Sequence, residues 1–415
     1  MSFGTRVVLG LVAGLAVGAL LAAADNPSLL RIVPTLEPIG TLWLNALRMT
    51  VIPLIVSMLI TGVASATETA ATGRVATRAL TLFLISLTGA AILSALLMPL
   101  FLTWWPVNPE AAAALRATAS ASQTTIPEMP PIREWLVSLI PVNPFKAAAE
   151  DSILQVVIFS LAFGFAASKL APDLRIPLLT FFRAVMETMF TIIQWVLWLA
   201  PIGVFALALK VGASGGVGAA GALVQYVIFM GVLGIIITVL AYPAAVIFGR
   251  VPFMKFARAM GPSQAVAIST QSSLASLPAM LTGARKELGI PERVTDITLP
   301  LAVSTFRITS PLFNLGIVIF TAHISGVDLD FARLAIGVAL AVLTSFSVVG
   351  LPSQFTFFNT TVPISLGMGV PMELLPLIVA VEVVPDLFRT VGNVTADVAV
   401  TTVVARGADG DPPTA

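Results

Sequence analysis

Long stretches without a single charged residue constrain this chain more than any other feature. Val7–Ala24, Leu80–Leu102 and Val224–Phe248 are each close to or beyond the ~20 apolar residues that a bilayer-spanning helix needs. They belong to a chain of 415 residues that is 57% hydrophobic and only 10% charged, against about 45–50% and ~25% in soluble domains. No soluble fold hides so much apolar surface. The bilayer must be the solvent.

The charged residues that remain exclude several classes of function. A net charge of +1, with the basic residues spread over connecting segments, gives no patch for nucleic acid. With no cysteine, thiolate catalysis and thiolate metal sites are impossible. With a single histidine, His323, a His-based zinc site is impossible and a Ser-His-Asp triad is not expected. No nucleophile–base pairing and no metal cluster is evident, so an enzyme is not expected.

Spans are expected at 5–24, 40–66, 76–104, 141–168, 175–210 and 217–248. The first run is too long for the core of a signal peptide and reads as an uncleaved helix. An internal N-terminus puts Arg74, Arg78, Lys169, Arg175, Arg250, Lys255 and Arg258 in cytoplasmic connections, leaving Arg31, Arg116 and Arg133 outside. That asymmetry obeys the positive-inside rule. Asn108–Arg133 reads as a flexible external loop, and the run 212–222 (GASGGVGAAGA) reads as a turn of small residues.

After residue 250 the apolar segments shorten and break. The interruptions fall at 268–280, 305–314, 348–359 and 385–398. Irregular backbone at membrane depth is tolerated where it lines a site or packs inside protein. Two polar, proline-containing tips, Ser272–Pro278 and Gly350–Gln354, resemble matching parts of an internal repeat. Ser272, Ser273 and Ser310 are candidates for hydroxyl or backbone contacts, with helix capping as the plainer alternative.

The last span carries Glu382, Asp386, Arg389 and Asp397. One charge at the centre of a spanning helix costs roughly 2.5–3.5 kcal/mol, so all four need partners. Asp386, Arg389, Asn393 and Asp397 fall at helical spacing on one face. The guanidinium of Arg389 suits a carboxylate, and Asp386 suits an ammonium group; the alternative is that these two simply pair with each other. Arg307 lies in an unwound-looking stretch, where it would balance Asp397 or Glu382. Three carboxylates against two guanidinium groups leave one negative charge, free to take a proton or a cation.

Ordered motifs along the whole chain resemble the dicarboxylate/amino acid:cation symporter family, which includes the glutamate and aspartate transporters. RMTVIPLIVSMLITGVAS (48–65), PVNPFKAAAEDSILQVVIFSLAFGFA (141–166) and APIGVFAL (200–207) are similar to its second, fourth and fifth spans. QSSLASLP (271–278) resembles the tip of its first hairpin, LPL (299–301) opens its seventh span, and DLFRTVGNVTAD (386–397) is similar to the signature of its last span. The resemblance implies an all-α membrane protein with eight transmembrane helices, two re-entrant hairpins and an elevator-like transport domain in a homotrimer. It implies scaffold helices 1–2 in 1–74 and helix 3 of the transport domain with an external loop in 75–140. In 141–250, helices 4–5 would serve the scaffold and trimer contact, and helix 6 the transport domain. Residues 251–406 would form the transport core and 407–415 a disordered tail.

Carried over by position, Asp386 would hold the substrate's amino group and Arg389 its side-chain carboxylate. Thr390 and Asn393 would meet the amino and α-carboxylate groups, with Ser272, Ser273, Ser310 and the tip Gly350, Leu351 and Pro352 around them. The departures concern coupling. Phe306-Arg307-Ile308-Thr309-Ser310 stands where the family has a sodium-coordinating motif, although Asp397 matches a sodium-binding aspartate. Asn314 matches the position of a proton-carrying glutamate, and Phe355 makes the second tip bulkier.

The expected function is therefore secondary transport of aspartate or glutamate with sodium sites reduced or lost, coupled to protons or working by exchange. Asp397, Arg307 and Glu382 are the coupling candidates, and no cofactor or metal site is expected. Alternatives are a carrier for C4-dicarboxylates or another amino acid, and a membrane sensor or anion pathway that does not concentrate its ligand. The expected location is the cell (inner or plasma) membrane with both termini cytoplasmic. The expected partners are the lipid bilayer and a small anionic amino acid, with no nucleic acid.

Overall fold

The computed structural model describes residues 3–24, 31–70, 73–119, 137, 140–150, 152–345 and 353–408. Every regular element among them is helical. Seventeen α-helices run in order: α1 Phe3–Ala23, α2 Ile32–Arg48, α3 Val51–Ala70, α4 Arg74–Trp104, α5 Pro109–Ala119, α6 Pro144–Ala149, α7 Ile153–Ala167, α8 Pro172–Trp198 and α9 Ala200–Ile247. Then follow α10 Phe253–Thr270, α11 Ser273–Thr282, α12 Glu292–Thr305, α13 Thr309–Ser325, α14 Phe331–Ser345, α15 Ser353–Gly367, α16 Leu375–Val381 and α17 Val383–Ala408.

Among the described residues, four stretches are long and apolar enough to cross a bilayer: Arg74–Trp104, Pro172–Trp198, Ala220–Ile247 and Glu292–Ser325. They expose large apolar side chains, among them Ile85, Leu96, Phe181 and Val239. Trp104, Trp105, Trp195 and Trp198 are exposed near helix ends, where amphipathic rings suit the membrane–water boundary.

The first half of the chain departs from the expected spans. The span 40–66 is two helices, α2 and α3, parted at Met49-Thr50, and 141–168 is α6 followed by α7. The break expected within 212–222 is absent, because α9 runs through that segment and the chain divides at Leu199 instead. The reason is local: the run holds only small residues and Val, so no proline interrupts the hydrogen-bond ladder, and alanine is the best helix former. Asn108–Arg133 is not all loop either, since Pro109–Ala119 is helical with the Asn108 side chain accepting from the Glu110 N–H; 120–133 lies outside the described residues.

Small residues set the packing of this half. Gly10, Gly14 and Gly18 recur every fourth residue on α1 and face the backbone of α9 at Pro201, Phe205 and Leu209. Trp43 of α2 donates through Nε1 to the Val196 carbonyl of α8 at 2.8 Å. Lys210 of α9 pairs with Glu37 of α2 at 2.5 Å.

The second half holds the site. α10 and α11 form one hairpin whose tip is only Gln271-Ser272, so Ser273–Pro278, expected as part of the tip, already begins the returning helix. α14 and α15 flank the second tip, whose residues Gly350, Leu351 and Pro352 lie outside the described residues. Later α9 packs on α17, with Gly231 and Gly234 against Phe388, and Gly249 just past its end lies against Thr402. α4 closes the other side, its Phe83 ring stacked on Phe306 at 4.5 Å.

The helix contact at Gly14 yields a direct test. A Cβ there would sit 2.6 Å from the Phe205 carbonyl oxygen and 2.8 Å from the Ala208 Cβ. Gly14→Leu is expected to lower the unfolding midpoint in detergent, at an overpacking cost of about 1–3 kcal/mol. Gly89→Ala, where a Cβ meets nothing within 4 Å, is the control and should leave the midpoint in place.

Candidate binding site at the broken helix

The site begins with a helix that cannot continue. Pro311 lacks an N–H, and its ring would clash with the Arg307 carbonyl in an unbroken helix. The chain leaves helical geometry at Phe306, φ −102° and ψ 90°, and resumes at Thr309, with Pro311 tolerated in the first turn. Arg307 is thereby carried into the interior on an irregular stretch. Phe306 and Ile308 on either side are buried as well.

Opposite runs α17. Among the described residues, only five charged side chains are buried: Arg307, Glu382, Asp386, Arg389 and Asp397, none more than 7% exposed. They are the five singled out from the sequence. Arg389 donates from Nη2 to Glu382 Oε2 at 3.1 Å and from Nη1 to Asn314 Oδ1 at 3.1 Å. Its guanidinium also lies over the Phe313 ring, 4.7 Å from the centroid, a cation–π arrangement. Glu382 Oε1 accepts from the Tyr226 hydroxyl of α9. Arg307 interacts electrostatically with Asp386 and Asp397.

The pairing of Arg389 thus differs from the plainer alternative. Arg389 forms its salt bridge seven residues back, with Glu382, and not with Asp386 three residues back. The shared helical face brings all three close, but the guanidinium points back along the helix, as side chains on a helix do. Of the two partners considered for Arg307, Asp397 is the one engaged.

The remaining predicted residues fall into clear positions. Asn393 accepts at Oδ1 from the Thr309 N–H at 3.0 Å and the Thr309 hydroxyl at 2.9 Å. It therefore pins α17 to the start of α13. Thr390 donates to the Asp386 carbonyl at 2.8 Å, and Ser310 Oγ accepts from Asn314 at 3.1 Å. Ser272 caps α11 by accepting from the Ala275 N–H at 3.2 Å, the plainer role weighed for it. Ser273 is buried close by.

Several buried polar groups find no hydrogen-bond partner among the described residues: Ser273 Oγ, Arg389 Nε, Asn393 Nδ2 and both carboxylate oxygens of Asp397. Such groups are costly, and a folded protein keeps them where they serve a purpose. Their donors suit a carboxylate ligand and their acceptors suit a cation or ammonium group.

Sequence reasoning missed four contributors. Tyr226 is one of only two tyrosines in the chain, and a hydroxyl inside an apolar span was the available signal. Thr309 and Phe313 sit beside positions already under scrutiny, yet their roles depend on the partner helix. Gln271 adopts a left-handed backbone at φ 51° and donates from Nε2 to the Val383 carbonyl at 3.0 Å. That contact fastens the first hairpin tip beside Glu382.

The sequence profile of the "Sodium:dicarboxylate symporter family" matches residues 3–407. The chain belongs to that family. Among its relatives, the "Proton/sodium-glutamate symport protein" of Bacillus subtilis (strain 168) is 29% identical over 97% of this chain and 92% of its own length. The "Proton/glutamate-aspartate symporter" of Escherichia coli (strain K12) is 27% identical over 98% and 92%. The "Neutral amino acid transporter B(0)" of Oryctolagus cuniculus is 28% identical over 94% and 76%.

Membership in the sodium:dicarboxylate symporter family makes this an all-α membrane transporter and not an enzyme. It also gives the broken helix and the enclosed charges a common setting, since family symporters carry their cargo through the bilayer. In this member the two backbone positions beside Arg307 are Phe306 and Ile308, whose side chains offer no oxygen. Among the described residues no cluster of three or more acidic or histidine side chains could hold a metal ion.

The Thr309–Asn393 contact predicts a coupled loss. Thr309→Val removes one of the two donors to Asn393 Oδ1. The expected cost is about 1 kcal/mol of stability, read as a lower unfolding midpoint in detergent. The α17–α13 junction should also exchange its amide hydrogens faster, while exchange at the α1–α9 contact should stay as in the parent.

Proposed function

We propose that this symporter-family protein is a secondary transporter of acidic amino acids in which Arg307 replaces a bound sodium ion. The single observation that carries the proposal is the buried charge set. Asp386 and Arg389 offer an anion and a cation on one helical face, complementary to an amino acid bearing a second carboxylate. Asp397 and Asp386 interact with Arg307, a permanent internal cation. A sodium ion beside that guanidinium would meet repulsion and two apolar neighbours.

The roles follow from chemistry. Asp386 takes the substrate's ammonium group and Arg389 its side-chain carboxylate. Asn393 Nδ2 and Ser273 Oγ, both unpartnered and buried, are free to donate to the α-carboxylate, with Thr390 beside them. Ser272 shapes the tip by capping α11, and Ser310 with Asn314 steadies Arg389 from α13. The glutamate and glutamate–aspartate symporters among the relatives support this substrate class. Coupling falls to protons or to exchange, because the positive charge that sodium would bring is already built in. Gly350, Leu351 and Pro352, which the family resemblance implies around the substrate, lie outside the described residues.

Binding to purified protein tests this. L-aspartate or L-glutamate, but not L-alanine, should raise the unfolding midpoint in a choline-based, sodium-free buffer. Arg389→Ala is expected to weaken that binding by at least about tenfold, since a hydrogen bond to a charged group contributes ~1.5–3 kcal/mol. Asp386→Asn should weaken it through the ammonium group. Equal stabilisation by succinate would move the substrate to the C4-dicarboxylates, and binding untouched by both substitutions would overturn the site.

A further inference from the structure

We infer that Glu382 is the group that takes up a proton when the substrate binds, with Arg389 and Tyr226 as the residues that make the exchange possible. The inference rests on the acidic amino acid reading above and adds the identity of the coupling group.

Glu382 is fully enclosed. One carboxylate oxygen is held by Arg389 Nη2 at 3.1 Å and the other by the Tyr226 hydroxyl. The titratable and charged groups that act on it are Arg389, Tyr226 and Asp386, from α17 and α9. Arg389 is the only cation among them. Glu382 therefore occupies the guanidinium that an incoming carboxylate needs.

Charge conservation then selects the proton acceptor. The buried set holds three carboxylates and two guanidinium groups, so it already carries one negative charge. An acidic amino acid brings one more. Burying a second net charge in a low-dielectric interior is strongly unfavourable unless it is compensated. When the substrate's carboxylate takes Arg389, Asp386 and Asp397 retain Arg307. Glu382 alone loses its cation.

The geometry accommodates the neutral form. A tyrosine hydroxyl both donates and accepts, whereas a protonated carboxyl gains a donor. With Glu382 ionised, Tyr226 donates to it. With Glu382 protonated, the new O–H donates to Tyr226 Oη, and no buried polar group is orphaned. The Tyr226 ring is held by Phe320, centroids 5.3 Å apart, so its hydroxyl stays in reach. The proton comes from the solution on the side of binding and adds to one Glu382 oxygen. It departs when the substrate leaves and Arg389 returns. One proton moves with each substrate molecule.

The test is calorimetric titration of the purified protein with L-aspartate across a pH series, in two buffers of different ionisation enthalpy. The parent should take up about one proton per aspartate, and its Kd should rise about tenfold per pH unit on the alkaline limb, the slope for one linked proton. Glu382→Gln should bind aspartate with a flat pH profile and no proton uptake. A Glu382→Gln protein that still takes up the parent's proton overturns this inference while leaving the substrate reading intact. A parent that does not bind L-aspartate overturns the substrate reading and this inference with it. If Glu382→Gln does not fold, infrared difference spectra of the parent and Tyr226→Phe decide. Aspartate should induce the carbonyl stretch of a protonated carboxyl group, shifted in Tyr226→Phe; no such band, or one indifferent to Tyr226→Phe, overturns the inference.

Discussion

Five charged side chains enclosed within apolar helices must neutralise one another, and the second half of the structure is arranged around that requirement. Arg307 and Arg389 answer Glu382, Asp386 and Asp397, leaving the set one positive charge short. Removing one member of a buried pair typically costs 3–5 kcal/mol, because the other charge is left uncompensated. The set is therefore held together as a unit. Any ligand that enters must exchange charge for charge.

The breaks in the helices serve this arrangement. Pro311 ends α12 before it can bury Arg307 on a regular helical face, and the irregular stretch delivers the guanidinium to Asp386 and Asp397. Gln271, in its left-handed conformation, carries the first hairpin tip to the carbonyl of Val383. Asn393 ties α17 back to Thr309. Strained or broken backbone at these places is supported by hydrogen bonds from neighbouring helices, as membrane depth demands. The first half of the chain is held differently. It packs through small residues, with Gly10, Gly14 and Gly18 of α1 close against the α9 backbone.

The sequence made the site more legible than the framework. Charges inside apolar spans are costly, so Glu382, Asp386, Arg389, Asp397 and Arg307 stood out on energetic grounds alone, and all five are buried together. Helical spacing predicted the shared face of α17, and the interrupted stretch 305–314 marked the break. Which charge meets which was not legible: spacing places Asp386 beside Arg389, but tertiary packing let the guanidinium reach back to Glu382 and sideways to Asn314. Tyr226, more than 150 residues from Glu382 in sequence, had no local signal of partnership. The segment 212–222 failed for another reason. Glycine-rich runs serve both turns and close helix packing, and composition does not distinguish the two. Leu199 divides two helices inside an apolar run with no charge to mark it, and at Met49-Thr50 a lone Arg48 stands beside the break.

In the proposed mechanism the internal guanidinium of Arg307 does the work of a bound sodium ion. Uptake of labelled L-aspartate into vesicles reconstituted with the protein tests it, under an imposed sodium gradient, a proton gradient or neither, in parent and Arg307→Met. The parent is expected to take up aspartate without sodium and to ignore a sodium gradient. In Arg307→Met, uptake should collapse or become dependent on an added cation. A parent that transports only when sodium is present, or an Arg307→Met protein that transports like the parent without it, contradicts the claim.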